Sequence, residues 1–280
     1  MDVSVAIPCY NGAPYIGNAI QAILDQTHPA SQVLIIDDGS TDRSAEIIGQ
    51  YPVELIQHAT NRGLAAARNT ALEAATGDII VFVDADAYAD PKLVASLLNG
   101  YTSPHVGGVG GQGIEARVQS RADRWRRAHA SQSHGQQAKT VSYLYGLCMS
   151  FRQSALEAVN GFDTAFRTNA EDIDGGLRLN AAGFTLRYEP KARVYHQRTD
   201  DQASLTRTMA NWYAGAYRAK MANRAQPWRL YAGTLRRLVA DPFKDIFVFR
   251  DPALVPLSLA IGFAKMKALL QARKATGGRR

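Results

Sequence analysis

A chain of 280 residues, 46% apolar and only 20% charged, can form one large α/β domain with an appendage or two small domains, and its composition is neither disordered nor collagen-like. Its two cysteines, Cys9 and Cys148, make no zinc-ligand spacing and no disulfide framework, which favours a reducing compartment. The net charge of +7 is uneven: residues 1–200 carry 17 Lys/Arg against 21 Asp/Glu, whereas residues 201–280 carry 15 against 4, a basic end suited to an anionic surface or simply a solvated basic face.

The sequence enters the apolar run Val3–Pro8 with no basic segment before it, so no signal peptide is expected. Val33–Asp37, Val53–Gln57 and Ile79–Val83 have the same length and β-branched bias, as expected of buried strands. Between them Pro14–Gln26, Asp42–Gln50 and Gly63–Ala75 read as helices, the second with an N-cap at Ser40-Thr41. This alternation predicts right-handed crossovers and a mostly parallel sheet flanked by helices. In such sheets ligands bind beyond the carboxyl ends of the strands.

Further along, His105–Gly113 reads as a strand and turn, Gln119–Ser133 as a helix and Val141–Phe151 as one strand. Gln153–Val159 and Ile173–Ala182 read as helices, with two short strands at Leu186–Tyr188 and Ala192–Tyr195. Residues 201–275 read as helices only, broken at Pro227, Pro242, Pro252 and Pro256.

The residues able to do chemistry gather at the predicted strand ends. Asp84 and Asp86 follow the fourth strand, one residue apart, and such hard oxygen ligands suit Mn2+ or Mg2+ bridging phosphate oxygens; a solvated strand end is the alternative. Asp37 and Asp38 end the second strand, where a carboxylate can accept hydrogen bonds from a base or ribose, or only support the following turn. Tyr10 and Asn11 follow the first strand, and a tyrosine there can stack on a base or pack on the sheet. Arg62 and Arg68 offer cations to a diphosphate. Glu171, Asp172 and Asp174 open a helix, where acidic residues are favourable without any chemistry.

Taken in order, Ala6-Ile7-Pro8-Cys9-Tyr10-Asn11, Asp37–Asp42, Gly63–Asn69 and Val83-Asp84-Ala85-Asp86 resemble the nucleotide-binding half of a family 2 inverting glycosyltransferase with the GT-A fold, over about residues 2–200. The resemblance implies base and ribose contacts from Pro8, Tyr10 and Asp38, a metal ligand in Asp86, and Asp84 at the ribose or metal. Gly146–Arg152 and Asn160–Asp163 resemble the acceptor-side strand and turn, and Asn169–Asp174 the motif whose aspartate, here Asp172, is the general base. Gly146 and Glu171 then stand on the acceptor side, and Asp174 either supports the metal shell or caps its helix. Val194-Tyr195-His196 resembles the end of the catalytic domain, which makes His196 a candidate second metal ligand.

These implications define a catalytic domain over residues 1–200 and a basic helical extension over residues 201–280. The donor is a nucleoside-diphosphate sugar, with UDP-sugars favoured over dTDP- and GDP-sugars, and the acceptor a glycan or lipid-linked hydroxyl. The rivals are a sugar-nucleotide-forming nucleotidyltransferase, whose Gly-rich basic loop Pro8-Cys9-Tyr10-Asn11 does not resemble, and a non-catalytic nucleotide-sugar-binding or nucleic-acid-binding protein, against which the presence of Asp86 and Asp172 argues. No nucleic-acid motif is present, and no nucleic-acid partner is expected. Residues 253–264 are the most apolar run, short of the ~20 residues of a bilayer span, and lie beside Lys265, Lys267, Arg273 and Lys274. They read as an interfacial helix on an anionic membrane or as a core helix; Trp212, Tyr213, Tyr217, Trp228 and Tyr231 are open to the same two readings. The expected location is cytoplasmic, peripheral on the inner face of the membrane.

Overall fold

The apolar runs of the first hundred residues become strands, β1 (Val3–Cys9), β2 (Gln32–Asp37), β3 (Glu54–Gln57) and β4 (Ile79–Val83). β1, β2 and β4 are covered on both faces, whereas β3, read as a buried strand, is an edge strand with Glu54 and Gln57 exposed. Residues alternate along β1: Val3, Val5 and Ile7 pack on α1 (Ile16–Leu24) and on Ile48 of α2 (Ser44–Ile48), while Ala6 faces α3 (Leu64–Ala74) on the other side of the sheet. A strand buried on both faces needs apolar residues at every position, which is why these runs are continuous. The structure is a computed structural model and describes residues 1–277.

Next come β5 (Ala87–Ala89), α4 (Leu93–Leu98) and β6 (Val106–Glu115), followed by α5 (Arg121–His129), β7 (Lys139–Val141) and β8 (Cys148–Arg152). The chain continues through α6 (Gln153–Ala158), α7 (Glu171–Ala181) and β9 (Thr185–His196). Among the described residues the strands form one mixed sheet in the order β3-β2-β1-β4-β8-β6-β9-β5, with β7 paired to β9. β3, β2, β1 and β4 are mutually parallel, as expected, and β8 and β5 run against their neighbours. Three elements depart from the sequence reading. Val141–Phe151 is two strands, β7 and β8, separated by turns. The short β5 lacked any signal of its own. The two strands read near residues 186 and 195 are the single strand β9, whose register against β6 slips between Gly110↔Tyr188 and Gln112↔Arg193. Pro190 falls in that slip, where no ladder donor is needed.

By contacts the chain divides into two units, Met1–Ala116 with Gln132–Gln197, and Arg117–Ser131 with the chain from Arg198 on. The division is not a single cut at residue 200, because α5 belongs to the second unit. That unit is helical: α5, α8 (Gln202–Ala222), α9 (Trp228–Phe247), a 3-10 turn Pro252–Leu254 and α10 (Val255–Gly277). Its core joins Ala122 and Trp125 to Leu205, Met209, Leu254, Leu257 and Ile261. A second patch holds Tyr217, Leu269 and Ala272, with Tyr213 and Tyr231 beside them.

Pro227 precedes α9 and Pro252 opens the 3-10 turn, but Pro242 lies inside α9 and does not end it. Asp241 and Asp245 flank that proline, and His129 holds both, at 3.4 and 2.6 Å. Pro256 sits in the first turn of α10, where its missing N–H costs nothing. The apolar run 253–264 therefore belongs to a longer helical segment, Pro252–Thr276, which by length and composition could cross a membrane, with a mean hydropathy of 1.6. Leu254, Leu257, Ile261 and Leu269 of that segment lie in the core of the helical unit.

Candidate active site

Strand pairing brings the predicted residues to one edge of the sheet. Tyr10, Asp38 and Asp84 each follow the last residue of a parallel strand, β1, β2 or β4. β8 is antiparallel and begins opposite the end of β4 (Val83↔Cys148), so Gly146 joins the same edge. The pairs Ala87↔His196 and Glu115↔His196 then set Asp86, Glu115 and His196 side by side.

The centre of the edge is a buried cation. Arg68, on α3, is fully buried (0% exposed) against the rings of Phe82 and Phe162, each 5.8 Å away. Its Nη1 donates to Glu171 and its Nη2 to Asp84 Oδ1 (3.1 Å) and to the carbonyl of Gly146 (2.9 Å). A side chain so enclosed cannot face a diphosphate, which corrects the expectation for Arg68: it gathers carboxylates instead. Burial pushes Asp84 up to about 6 and Glu171 up to about 7 despite Arg68, and each has a further carboxylate neighbour, Asp86 and Asp172 respectively, acting in the same direction. Glu171 Oε2 is buried with no hydrogen-bond partner.

Asp172 lies in the first turn of α7, half-buried, with Oδ2 accepting from the Gly146 N–H (3.0 Å) and Oδ1 from the Ile173 N–H (2.8 Å). Burial raises its pKa, opposed by Arg68 and these N–H donors. A Cβ at 146 would stand 3.0 Å from Arg68 Nη2 and press on the guanidinium, so glycine leaves room for it. Asp174 is buried and binds Arg178 of its own helix at 2.7 Å.

At the other end of the edge, His196 Nε2 is 3.4 Å from Asp86 Oδ2, and its Nδ1 is 3.2 Å from Glu115 Oε2. Burial alone would lower this imidazole, but hydrogen bonds to Asp86 and Glu115 outweigh it and hold the pKa at about 9. Glu115 is the residue that sequence reasoning missed; no motif marks it, and only the β6–β9 register brings it here. Among the described residues no cluster of three or more His, Cys, Asp or Glu side chains is arranged to hold a metal ion. A divalent cation would be held by Asp86 and His196, whose Oδ2 and Nε2 lie 3.4 Å apart, and would supply positive charge to a diphosphate. Glu115 behind the imidazole is the orienting carboxylate that metal-bound histidines use. The donor set fits Mn2+ or Mg2+.

The nucleotide end is less as expected. Tyr10 is 51% exposed and available for stacking. Pro8 is buried within β1, beyond the stretch paired with β4. Asn11 joins the β1 and β2 loops, its N–H donating to Ser40 Oγ and its Oδ1 accepting from Thr41 N–H (2.8 Å). Asp38 is turned inward: it accepts from the N–H groups of Arg62 and Gly63, both at 2.8 Å, and lies 2.6 Å from His58 Nδ1. It thereby fixes the loop before α3. That loop needs Gly63, whose φ of +96° and a 2.8 Å approach of any Cβ to the Arg167 carbonyl exclude other residues. Arg62 is exposed, and among the described residues no carboxylate pairs with it. The helix after β2 has no side-chain N-cap from Ser40 or Thr41; Asp42 accepts from the Ser44 N–H instead (3.0 Å).

A mixed, mostly parallel sheet with paired carboxylates at its carboxyl edge and an acidic helix start beside them is an arrangement of the GT-A fold class. Residues 4–159 match the model of Glycosyl transferase family 2, and the chain belongs to that family. It is 33% identical over 205 residues to the pre-mycofactocin glycosyltransferase of Mycobacterium tuberculosis, covering 70% of this chain and 42% of that relative, so it spans less than half of the relative's length. Among solved structures, the mannosyltransferase PcManGT from Pyrobaculum calidifontis in complex with GDP-Man and Mn2+ matches with a TM-score of 0.63 and 24% identity over 99% of this chain and 75% of that one. S. aureus TarS in complex with UDP-GlcNAc matches with a TM-score of 0.60 and 17% identity over 99% and 92% of the two chains. At these identities the structures speak to the fold.

Proposed function

We propose that this glycosyltransferase works by inversion and depends on a divalent cation, moving a sugar from a nucleoside diphosphate to an acceptor hydroxyl with Asp172 as general base. The observation that carries the reading is the link through Gly146 and Arg68: the Gly146 N–H holds Asp172 while its carbonyl and Asp84 share the Arg68 guanidinium. One rigid cluster thus joins the carboxylate pair after β4 to the helix that carries the base.

In this scheme the acceptor oxygen attacks the anomeric carbon as its proton passes to Asp172, and the bond from that carbon to the diphosphate oxygen breaks on the opposite face. Fixing Asp172 by two N–H donors keeps one geometry for the proton transfer, and a pKa raised by burial makes it a better base. A cation at Asp86 and His196 supplies neutralisation of charge on the departing diphosphate. Exposed Arg62 is the residue placed to assist, and Tyr10 to stack on the base. Asp38 acts by positioning the Arg62–Gly63 backbone. Asp84, already bonded to Arg68, serves the ribose side. The acceptor side is formed by Gly146 with Glu171 behind it. Tyr145 precedes Gly146 and joins Tyr143 and His134 in an aromatic cluster with ring centroids 4.7–5.4 Å apart, a surface suited to a sugar face.

The donor class is a UDP-, GDP- or dTDP-sugar, UDP favoured, and the acceptor a glycan or lipid-linked hydroxyl. The basic helical unit suits an anionic membrane on its cytoplasmic side. The test is incubation with nucleotide-sugars, Mn2+ and candidate acceptors. Metal-dependent release of nucleoside diphosphate, with a β-linked product from an α-linked donor, supports the reading. Pyrophosphate release or retention of configuration refutes it.

A further inference from the structure

Helix α9 leaves an apolar stripe in solvent. Its three fully buried residues, Thr234, Asp241 and Asp245, are all polar, and Asp241 and Asp245 are held by His129, with Asp245 also accepting from Ser258 (2.6 Å). Leu230 and Tyr231 pack on the core of the unit and Leu238 is half-buried, but six large apolar residues point the other way: Trp228, Leu235, Val239, Phe243, Ile246 and Phe247 are 44–75% exposed. At about 100° per residue these six fall within an arc of roughly 120°, and the buried three lie nearly opposite. A surface helix in water shows the reverse arrangement. Three of the rings alone, at about 150–250 Å² each, leave roughly 300–400 Å² of aromatic surface in solvent, as much as the largest patch on a typical monomer.

The charges beside this stripe decide what covers it. Arg236 and Arg229 fall at one margin of the stripe, level with Phe243 and Phe247, and Lys244 and Arg237 lie just beyond it, all four exposed, while both carboxylates of α9 are buried. The helical unit as a whole carries 21 Lys/Arg against 6 Asp/Glu. Two copies of so basic a surface repel, whereas anionic lipid headgroups attract it.

We infer that α9 lies in the plane of an anionic membrane surface, its stripe of Trp228, Leu235, Val239, Phe243, Ile246 and Phe247 entering the acyl boundary and its arginines meeting lipid phosphates. This deepens the membrane reading of the basic tail by naming the element: α9 docks, and α10, whose Leu254, Leu257, Ile261 and Leu269 are already buried, is the core helix behind it. Twenty residues give a contact about 30 Å long.

The test is co-sedimentation of the full chain with phosphatidylcholine vesicles, with and without phosphatidylglycerol, at low and high salt. Binding is expected to anionic vesicles and to weaken with salt. Phe243→Glu with Phe247→Glu should lower the partition coefficient by about tenfold or more, and Val239→Asp should weaken it separately. Because these side chains are exposed, thermal unfolding and metal-dependent nucleoside diphosphate release in detergent should stay at wild-type values. Absence of binding at low salt, equal binding to neutral vesicles, or a vesicle-free dimer abolished by the same substitutions would each overturn the inference. Loss of donor turnover with vesicle binding intact would refute the catalytic reading and leave this one standing.

Discussion

Replacing Arg68 by methionine distinguishes a buried organiser from a phosphate ligand. The side chain is 0% exposed and answers Asp84, Glu171 and the Gly146 carbonyl at once. Methionine would keep the contacts with Phe82 and Phe162 but leave two carboxylates without a cation. Removing one partner of a buried pair costs about 3–5 kcal/mol. For a unit of this size that is a fall in Tm of roughly 6–20 °C. Glu171 is the deeper carboxylate, so Arg68→Met combined with Glu171→Gln should recover about 1–2 kcal/mol, measured as coupling in a double-mutant cycle by urea unfolding. Had Arg68 faced a diphosphate, the single variant would lose nucleotide affinity and keep its stability. A Tm within about 2 °C of wild type, or no recovery in the double variant, would refute the buried-cluster account.

Glu115→Gln should weaken Mn2+ about 10–100-fold, read from the metal concentration needed for donor-induced thermal stabilisation relative to the same variant without donor. Cys9 and Cys148 are 2% and 1% exposed, and burial pushes their thiols to about 11 and about 12, so neither should react with a thiol reagent at pH 8 until denaturant is added; fast native labelling would contradict this. Burial lowers Lys265 from 10.5 to about 8, so between those values the unfolded chain holds a proton that the folded chain has released, and stability from this group rises with pH. Below that window it costs up to about 3 kcal/mol, offset in part by the rings of Trp125 and Tyr213. Lys265→Met should therefore be more stable than wild type at pH 7 by about 1–3 kcal/mol, the gain shrinking toward pH 10.5.

Much of the site was legible because strand ends announce themselves. Val5–Cys9, Val33–Ile36 and Ile79–Val83 are uninterrupted apolar runs that stop at polar residues, and Tyr10, Asp38 and Asp84 follow from that punctuation. Burial was not legible. An arginine near a Gly turn looks the same whether it meets phosphate or, like Arg68, is sealed among carboxylates. Asp38 likewise spends itself on backbone N–H groups that become neighbours only after folding. Glu115 depends on the pairing of β6 with β9, a contact across 81 residues that no local pattern encodes. Pro242, and the break read between residues 188 and 192, misled for a related reason. One is held in α9 by carboxylates anchored on His129, and the other sits at a register slip, so both depend on distant partners. Of the five aromatic residues singled out in the tail, Trp228 alone is exposed among the described residues, while Trp212, Tyr213, Tyr217 and Tyr231 pack in the helical unit.

The most direct test of the catalytic account is Asp172→Asn, assayed for glycosyl transfer and, separately, for donor binding by Mn2+-dependent thermal shift. Asparagine can still accept a hydrogen bond from the Gly146 N–H but cannot take up the acceptor's proton. Transfer is expected to fall by about 10²–10⁴-fold with donor binding within about twofold of wild type. Wild-type transfer in this variant would contradict Asp172 as the base.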